Sequence, residues 1–197
     1  MNNGDVSQSR RRFLIGATSV VGGVGVVGAA VPFVASWNPS AKAEAAGAPV
    51  TVNISKIEPG QQITVAWRGK PVWIVRRTEQ MLVNIKKLND RVKDPQSKEA
   101  DQPEYIDGIY RSLKDEYVVL VGICTHLGCV PTFRPEVAPA DIGEDWLGGF
   151  ICACHGSRYD LAGRVFQSQP APANLEVPPY RYDDDSTITV GLDPEAA

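Results

Sequence analysis

The four cysteines and two histidines of the chain are confined to two short stretches, CTHLGC at 124–129 and CACHGS at 152–157. The first reads Cys124-x-His126-x-x-Cys129 and follows an apolar run. The second reads Cys152-x-Cys154-His155 and follows Gly148-Gly149-Phe150-Ile151. Thiolate and imidazole are ligands for zinc, copper and iron, so two such loops facing each other imply a metal centre gripped from both sides. Three arrangements remain open on residue types alone. A structural zinc site takes four ligands with cysteines commonly spaced two to four residues apart; Cys-x-His is tighter, and two candidates are left over. A pure disulfide framework allows three pairings among four cysteines but leaves both histidines unexplained. A mixed site, with four residues on metal and two cysteines bridged so as to staple the loops, uses all six.

Such loops need a rigid frame, and residues 50–197 read as mostly β. VTVNI at 50–54, QQITVAW at 61–67 and PVWIVRR at 71–77 are rich in β-branched and aromatic residues, with Pro59-Gly60 and Gly69 as turns between them. EYVVLVGI at 116–123 reads as a buried strand that delivers the first loop. YRY, DDDS and TITVGL across 180–192 read as a closing hairpin. An amphipathic helix is expected over residues 79–88, and a surface loop from there to about residue 101. The segment VPTFRPEVAPADIGEDWLG between the boxes reads as a surface insertion. Short strands with regular turn signals predict an antiparallel sandwich or barrel-like domain.

The N-terminus predicts how this frame is delivered. Arg10, Arg11 and Arg12 precede an apolar run over residues 13–37, and residues 13–41 contain no charged side chain. A helix over residues 14–36 would be roughly 34 Å long at about 1.5 Å per residue, enough to cross a hydrocarbon layer of about 30 Å. Gly16, Gly22, Gly23, Gly25 and Gly28 keep it only mildly hydrophobic. With the arginines and Phe13-Leu14 in front, it resembles a twin-arginine export signal, a route for proteins already folded around a cofactor. The run is longer than the usual cleaved signal core, and the expectation is a retained anchor. Basic residues before the span place the N-terminus in the cytoplasm. The predicted organisation is a cytoplasmic segment 1–12 carrying the signal, an anchor helix 13–37, a flexible tether 38–49 and a periplasmic domain 50–197. The tether is small and polar with two prolines. The periplasm permits a disulfide. The net charge of −3 argues against a nucleic-acid partner, which requires a concentrated basic surface.

CTHLGC followed by CACHGS resembles the two signature boxes of the Rieske iron–sulfur proteins, in the disulfide-bearing form of the quinol-oxidising cytochrome bc complexes. The order of signal, span, tether, β domain, boxes and the later QPAPANLEVP is similar over nearly the whole chain. The resemblance implies a Rieske-type antiparallel β domain with a cluster-binding part at about residues 122–175. It implies one 2Fe–2S cluster, with Cys124 and Cys152 on one iron, His126 and His155 on the other, and a Cys129–Cys154 disulfide. It also implies that Ser157 donates to a bridging sulfide and Tyr159 to a cysteine sulfur. Leu127, Gly128 and Pro170 would line the cluster, and Leu127 with residues 170–172 would form a docking tip. Two departures stand out: Ala153 where the family usually has proline, and Gln169 where glycine is common. Neither is a ligand.

Two thiolates and two neutral imidazoles leave an oxidised cluster near neutral, which moves such centres from about −400 mV to between about −150 and +300 mV. The implied reaction is uptake of one electron from ubiquinol, coupled to a proton held at an exposed ligand histidine, His155 foremost. A swing of the domain on its tether then reduces a c-type cytochrome subunit, while the second electron goes to cytochrome b. The parent complex would be dimeric, in the bacterial inner membrane. Competing readings are the Rieske small subunit of another periplasmic oxidoreductase such as arsenite oxidase, a soluble Rieske ferredoxin, and a zinc-stabilised interaction module.

Overall fold

The computed structural model describes residues 7–194. The first six residues, part of the segment expected in the cytoplasm, lie outside them. The chain divides into two compact units, residues 1–45 and 46–197.

The N-terminal unit is dominated by α1 (Gln8–Ala35), whose 28 residues are all exposed. Its length and mean hydropathy of 2.0 suffice to cross a membrane. The helix begins earlier than expected because Ser7 caps it, accepting from the Arg10 N–H at 3.4 Å. The arginines, good helix formers, therefore occupy its first turns. The stretch expected as an irregular tether holds a second helix, α2 (Ala41–Gly47). Alanine is the strongest helix former, and Ser40 Oγ accepts from the Ala43 N–H at 3.2 Å. Seven residues are too few for a helix that is stable alone.

The second unit contains three antiparallel sheets of three strands. The strands are β1 (Val50–Asn53), β2 (Gln62–Trp67), β3 (Lys70–Arg76), β4 (Tyr117–Val121), β5 (Thr132–Arg134), β6 (Gly149–Ile151), β7 (Arg158–Tyr159), β8 (Tyr180–Asp184) and β9 (Thr187–Val190). Their orders are β1-β9-β8, β2-β3-β4 and β5-β6-β7. Every residue of β4 is buried, as its uninterrupted apolar sequence requires. α3 (Glu79–Lys87) is the amphipathic helix expected there, capped by Thr78, with Met81 and Ile85 buried. A 3₁₀ turn at Asn89–Arg91 follows it.

The segment between the boxes is not wholly a surface insertion. Its first residues form β5, which pairs with β6 in register Phe133↔Phe150. Near its end Trp146 is 3% exposed, and its Nε1–H donates to Arg134 O at 3.0 Å. One aromatic thus pulls a polar excursion back onto the body. The sheets that deliver the two boxes are locked together by Trp73 of β3 stacked on Phe150 of β6, with centroids 4.9 Å apart and planes within 9°. Gly122 makes room for this stack, since a Cβ there would collide with the Trp73 ring.

Candidate metal centre

The first box leaves the end of β4 and the second leaves the end of β6. Both fold by the same hydrogen-bond rule. The Cys124 N–H donates to Cys129 O at 2.7 Å, and the Gly128 N–H returns to Cys124 O at 3.0 Å. In the second box the Cys152 N–H donates to Ser157 O at 2.8 Å, and the Gly156 N–H to Cys152 O at 2.9 Å. Gly128 and Gly156 take φ of 82° and 77°, the left-handed region where glycine is favoured. Each box is thus a tight loop with its first cysteine at the buried root and its histidine nearer the tip.

Cys129 and Cys154 are joined in a disulfide, while Cys124 and Cys152 are free and buried. The sulfurs of Cys129, Cys152 and Cys154 lie within 4.8 Å of one another. Two of them are bonded to each other, so this trio is not a ligand set. The rings of His126 and His155 meet edge to face with centroids 4.6 Å apart. His155 is exposed and His126 half-buried. The Nδ1 of His126 is itself buried and has no hydrogen-bond partner among the described residues. A buried imidazole nitrogen without a partner is costly, and metal ligation is one way to satisfy it.

Tyr159, fully buried, places its Oη 3.2 Å from Cys124 Sγ. It also accepts from the Thr125 N–H at 3.2 Å. Burial pushes the Cys124 thiol up, but hydrogen bonding from Tyr159, the His126 backbone, Cys152 and Ser157 outweighs it, and the net shift is downward. Cys152 moves upward, first by burial and then by its neighbour Cys124. The Tyr159 phenol is raised by burial and by Cys124, so it keeps its proton for donation. Ser157 Oγ, also fully buried, accepts from the Ala171 N–H at 3.1 Å. Leu127 stands at the tip, 71% exposed, and Pro170 is exposed beside it in sequence with the buried Ala171.

A family model of the Rieske [2Fe-2S] domain matches residues 48–180. The chain belongs to the Rieske iron–sulfur family. A second family model, described as the ubiquitinol–cytochrome c reductase Fe-S subunit TAT signal, matches residues 1–40. The ubiquinol–cytochrome c reductase iron–sulfur subunit of Allochromatium vinosum is 56% identical over 95% of this chain and 91% of its own length. The subunit of the same name from Bradyrhizobium diazoefficiens is 42% identical over 93% of this chain and 94% of its own. A solved structure described as a hyperthermophilic respiratory complex III is 28% identical, with a TM-score of 0.48, over 90% of this chain and 98% of that one.

The Rieske domain is a [2Fe-2S] domain, and the donor set here fits that cofactor. Two free buried thiols and two imidazoles converge, one imidazole has an unpartnered buried nitrogen, and the remaining two cysteines are bonded to each other.

Several residues that secure this Rieske site carry no signal in the boxes themselves. Thr125 Oγ1 donates to Ala173 O at 2.7 Å, tying the first box to the proline segment. Lys93 Nζ holds Pro172 O at 2.7 Å. Asn174 Oδ1 accepts from the Val165 N–H at 2.9 Å, and its Nδ2 donates to Asp94 O and Ser97 Oγ. Only Asn174, an amide set among small apolar residues and prolines, was open to suspicion from sequence. Gln169, at a position where the family commonly has glycine, accepts from the Arg158 N–H at 3.1 Å.

Proposed function

We propose that the chain is the electron-transfer subunit of a quinol–cytochrome c oxidoreductase complex, with Cys124 and Cys152 ligating one iron and His126 and His155 the other. The observation that carries this reading is the pairing of two edge-to-face imidazoles with two free buried thiols across a disulfide-stapled pair of loops. The names of the relatives support the assignment to this complex. When bound, a cluster with this ligation supplies a one-electron acceptor at moderately positive potential.

The chain's own residues supply the rest. The exposed imidazole of His155 accepts the hydrogen bond of a ubiquinol hydroxyl and holds the proton released as the electron leaves the quinol. Leu127 and residues 170–172 exclude water around that contact and dock against cytochrome b. Tyr159 and Ser157 donate toward sulfur, stabilising added negative charge. α1 anchors the chain in the bacterial inner membrane with the N-terminus cytoplasmic, because arginines stand before the span. The domain of residues 50–197 is then periplasmic. Residues 38–49 let it move between cytochrome b and a c-type cytochrome subunit within a dimeric complex.

The test is electron paramagnetic resonance and elemental analysis of the purified chain. A reduced, rhombic signal with two irons and two acid-labile sulfides per chain is expected. Zinc in place of iron, or no signal after reduction, overturns the reading.

A further inference from the structure

Arg111 and Arg164 are the two largest side chains with no exposed surface among the described residues. Their surroundings differ. Arg164 is paired with Asp160 at 2.8 Å, and both are fully buried. Arg111 has no carboxylate within bonding distance. Its Nε donates to Gln102 Oε1 at 2.9 Å, its Nη1 to Ala162 O at 3.1 Å and its Nη2 to Leu175 O at 2.7 Å. Asp160 and Asp94 act on it only through space. Asp160 is already held by Arg164 and by the N–H groups of Ala162 and Arg164, and Asp94 accepts from the N–H groups of Lys98 and Glu99. A third buried guanidinium, Arg77, likewise ends on neutral acceptors, Asp115 O, Tyr110 O and Ser112 Oγ. Among the described residues, buried guanidinium groups outnumber buried carboxylates in this region.

Arg111 also takes a left-handed backbone, φ 53°. A buried cation without a counter-ion and a strained backbone both oppose folding. Burial lowers the Arg111 pKa to about 10, so the group stays charged at neutral pH. What it grips is the segment that covers the site. Ala162 lies just after Tyr159, Leu175 lies just after the proline segment, and the Leu175 N–H closes on Gly163 O at 2.8 Å. Ala171 between them bonds Ser157.

We propose that Arg111 is a positioning residue for the cluster site: its fork closes the base of the 160–175 segment, and its uncompensated buried charge favours the reduced centre. The proposal rests on the ligand assignment given above. Reduction adds negative charge to the site, and a fixed cation in a low-dielectric interior stabilises it.

Gln102→Glu separates charge from shape. The variant keeps an acceptor for Arg111 Nε, supplies a counter-ion, and loses only the Nε2 donation to Ile106 O. In a redox titration of the cluster-loaded full chain, followed by electron paramagnetic resonance, the reduced-to-oxidised ratio at fixed potential is expected to fall about tenfold, a drop of about 59 mV. The line shape should not change. Arg111→Met and Arg111→Lys test the same point without Gln102. The methionine variant is expected to lower the potential, and the lysine variant to keep it near the parent value while loosening the 160–175 segment to proteolysis. An unchanged potential in Gln102→Glu, or equal potentials in the lysine and methionine variants, overturns the proposal. A parent chain without iron and sulfide overturns the ligand reading instead.

Discussion

The Tyr159 hydroxyl lies 3.2 Å from the Cys124 sulfur, on a ring with no exposed surface. A hydrogen bond to a thiolate strengthens as the metal it ligates gains an electron, so its loss should be read at the electrode. Tyr159→Phe is expected to lower the midpoint potential by about 40–130 mV, from a differential of ~1–3 kcal/mol. Ser157→Ala should act in the same direction. Redox titration of loaded protein checks both, and a potential equal to the parent's would remove these donors from the assignment.

The disulfide between Cys129 and Cys154 spans a sequence separation of 25. Closing a loop of that size restricts the unfolded chain by about 3.5 kcal/mol in the chain-entropy treatment. Replacing both cysteines by alanine should lower stability by about that much. Opening of the two boxes should also release iron at lower denaturant concentrations than in the parent, a loss that absorbance at visible wavelengths follows directly.

Gly149 sits at φ 153°, and a Cβ there would strike the carbonyl oxygen of Tyr159. Because that oxygen belongs to the backbone of β7, it cannot swing aside. Gly149→Ala is expected to cost about 1–3 kcal/mol, displacing β7 from β6 and Tyr159 from Cys124. Urea unfolding gives the first effect. The second should appear as a lowered potential in whatever fraction still loads.

Asp160 and Arg164 form a fully buried ion pair. Asp160→Asn leaves a third guanidinium in the interior without a charged partner. A loss of about 3–5 kcal/mol is expected, whereas replacing both residues by apolar ones of similar volume should recover much of it. Thermal denaturation of the single and double variants distinguishes the two cases.

At the surface, two Arg134 nitrogens reach Asp141, each at 2.9 Å. Hydrogen bonding to Arg134 holds the Asp141 carboxyl below its ordinary value. Its contribution is therefore complete above the unfolded pKa and is lost as pH falls through the lower folded value. Arg134→Gln should return the carboxyl to its ordinary range in a carbon-13 titration and flatten stability in the acid window below about pH 4.

Much of the site was legible because its chemistry is local. Two cysteines and a histidine within six residues, twice, can be recognised without knowing where the loops sit. The strands β2, β3, β4, β8 and β9 were legible for a similar reason, since β-branched and aromatic runs between turn residues depend on neighbours in sequence. Residues 132–134 hid a strand because three residues without alternation give no period to read. Residues 41–47 hid a helix because prolines and glycine around the alanines weigh toward irregular chain. Arg77, Arg111 and Arg164 look like any surface arginines in sequence; only the carbonyls and carboxylate gathered around them in three dimensions show that they are interior. The links from Thr125 to Ala173 and from Lys93 to Pro172 join residues 48 and 79 positions apart, beyond the reach of any local pattern.

β1 begins directly after Pro49 and is zipped along β9 in four registered pairs, from Val50↔Val190 to Asn53↔Thr187. A pull on residue 49 therefore loads the cross-strand bonds of this ladder together, in shear, rather than peeling them one at a time. Mechanically, the domain is hung from a sheet that contributes neither box. Tugging during motion is borne by β1 and β9, and the metal-binding loops are left unstressed.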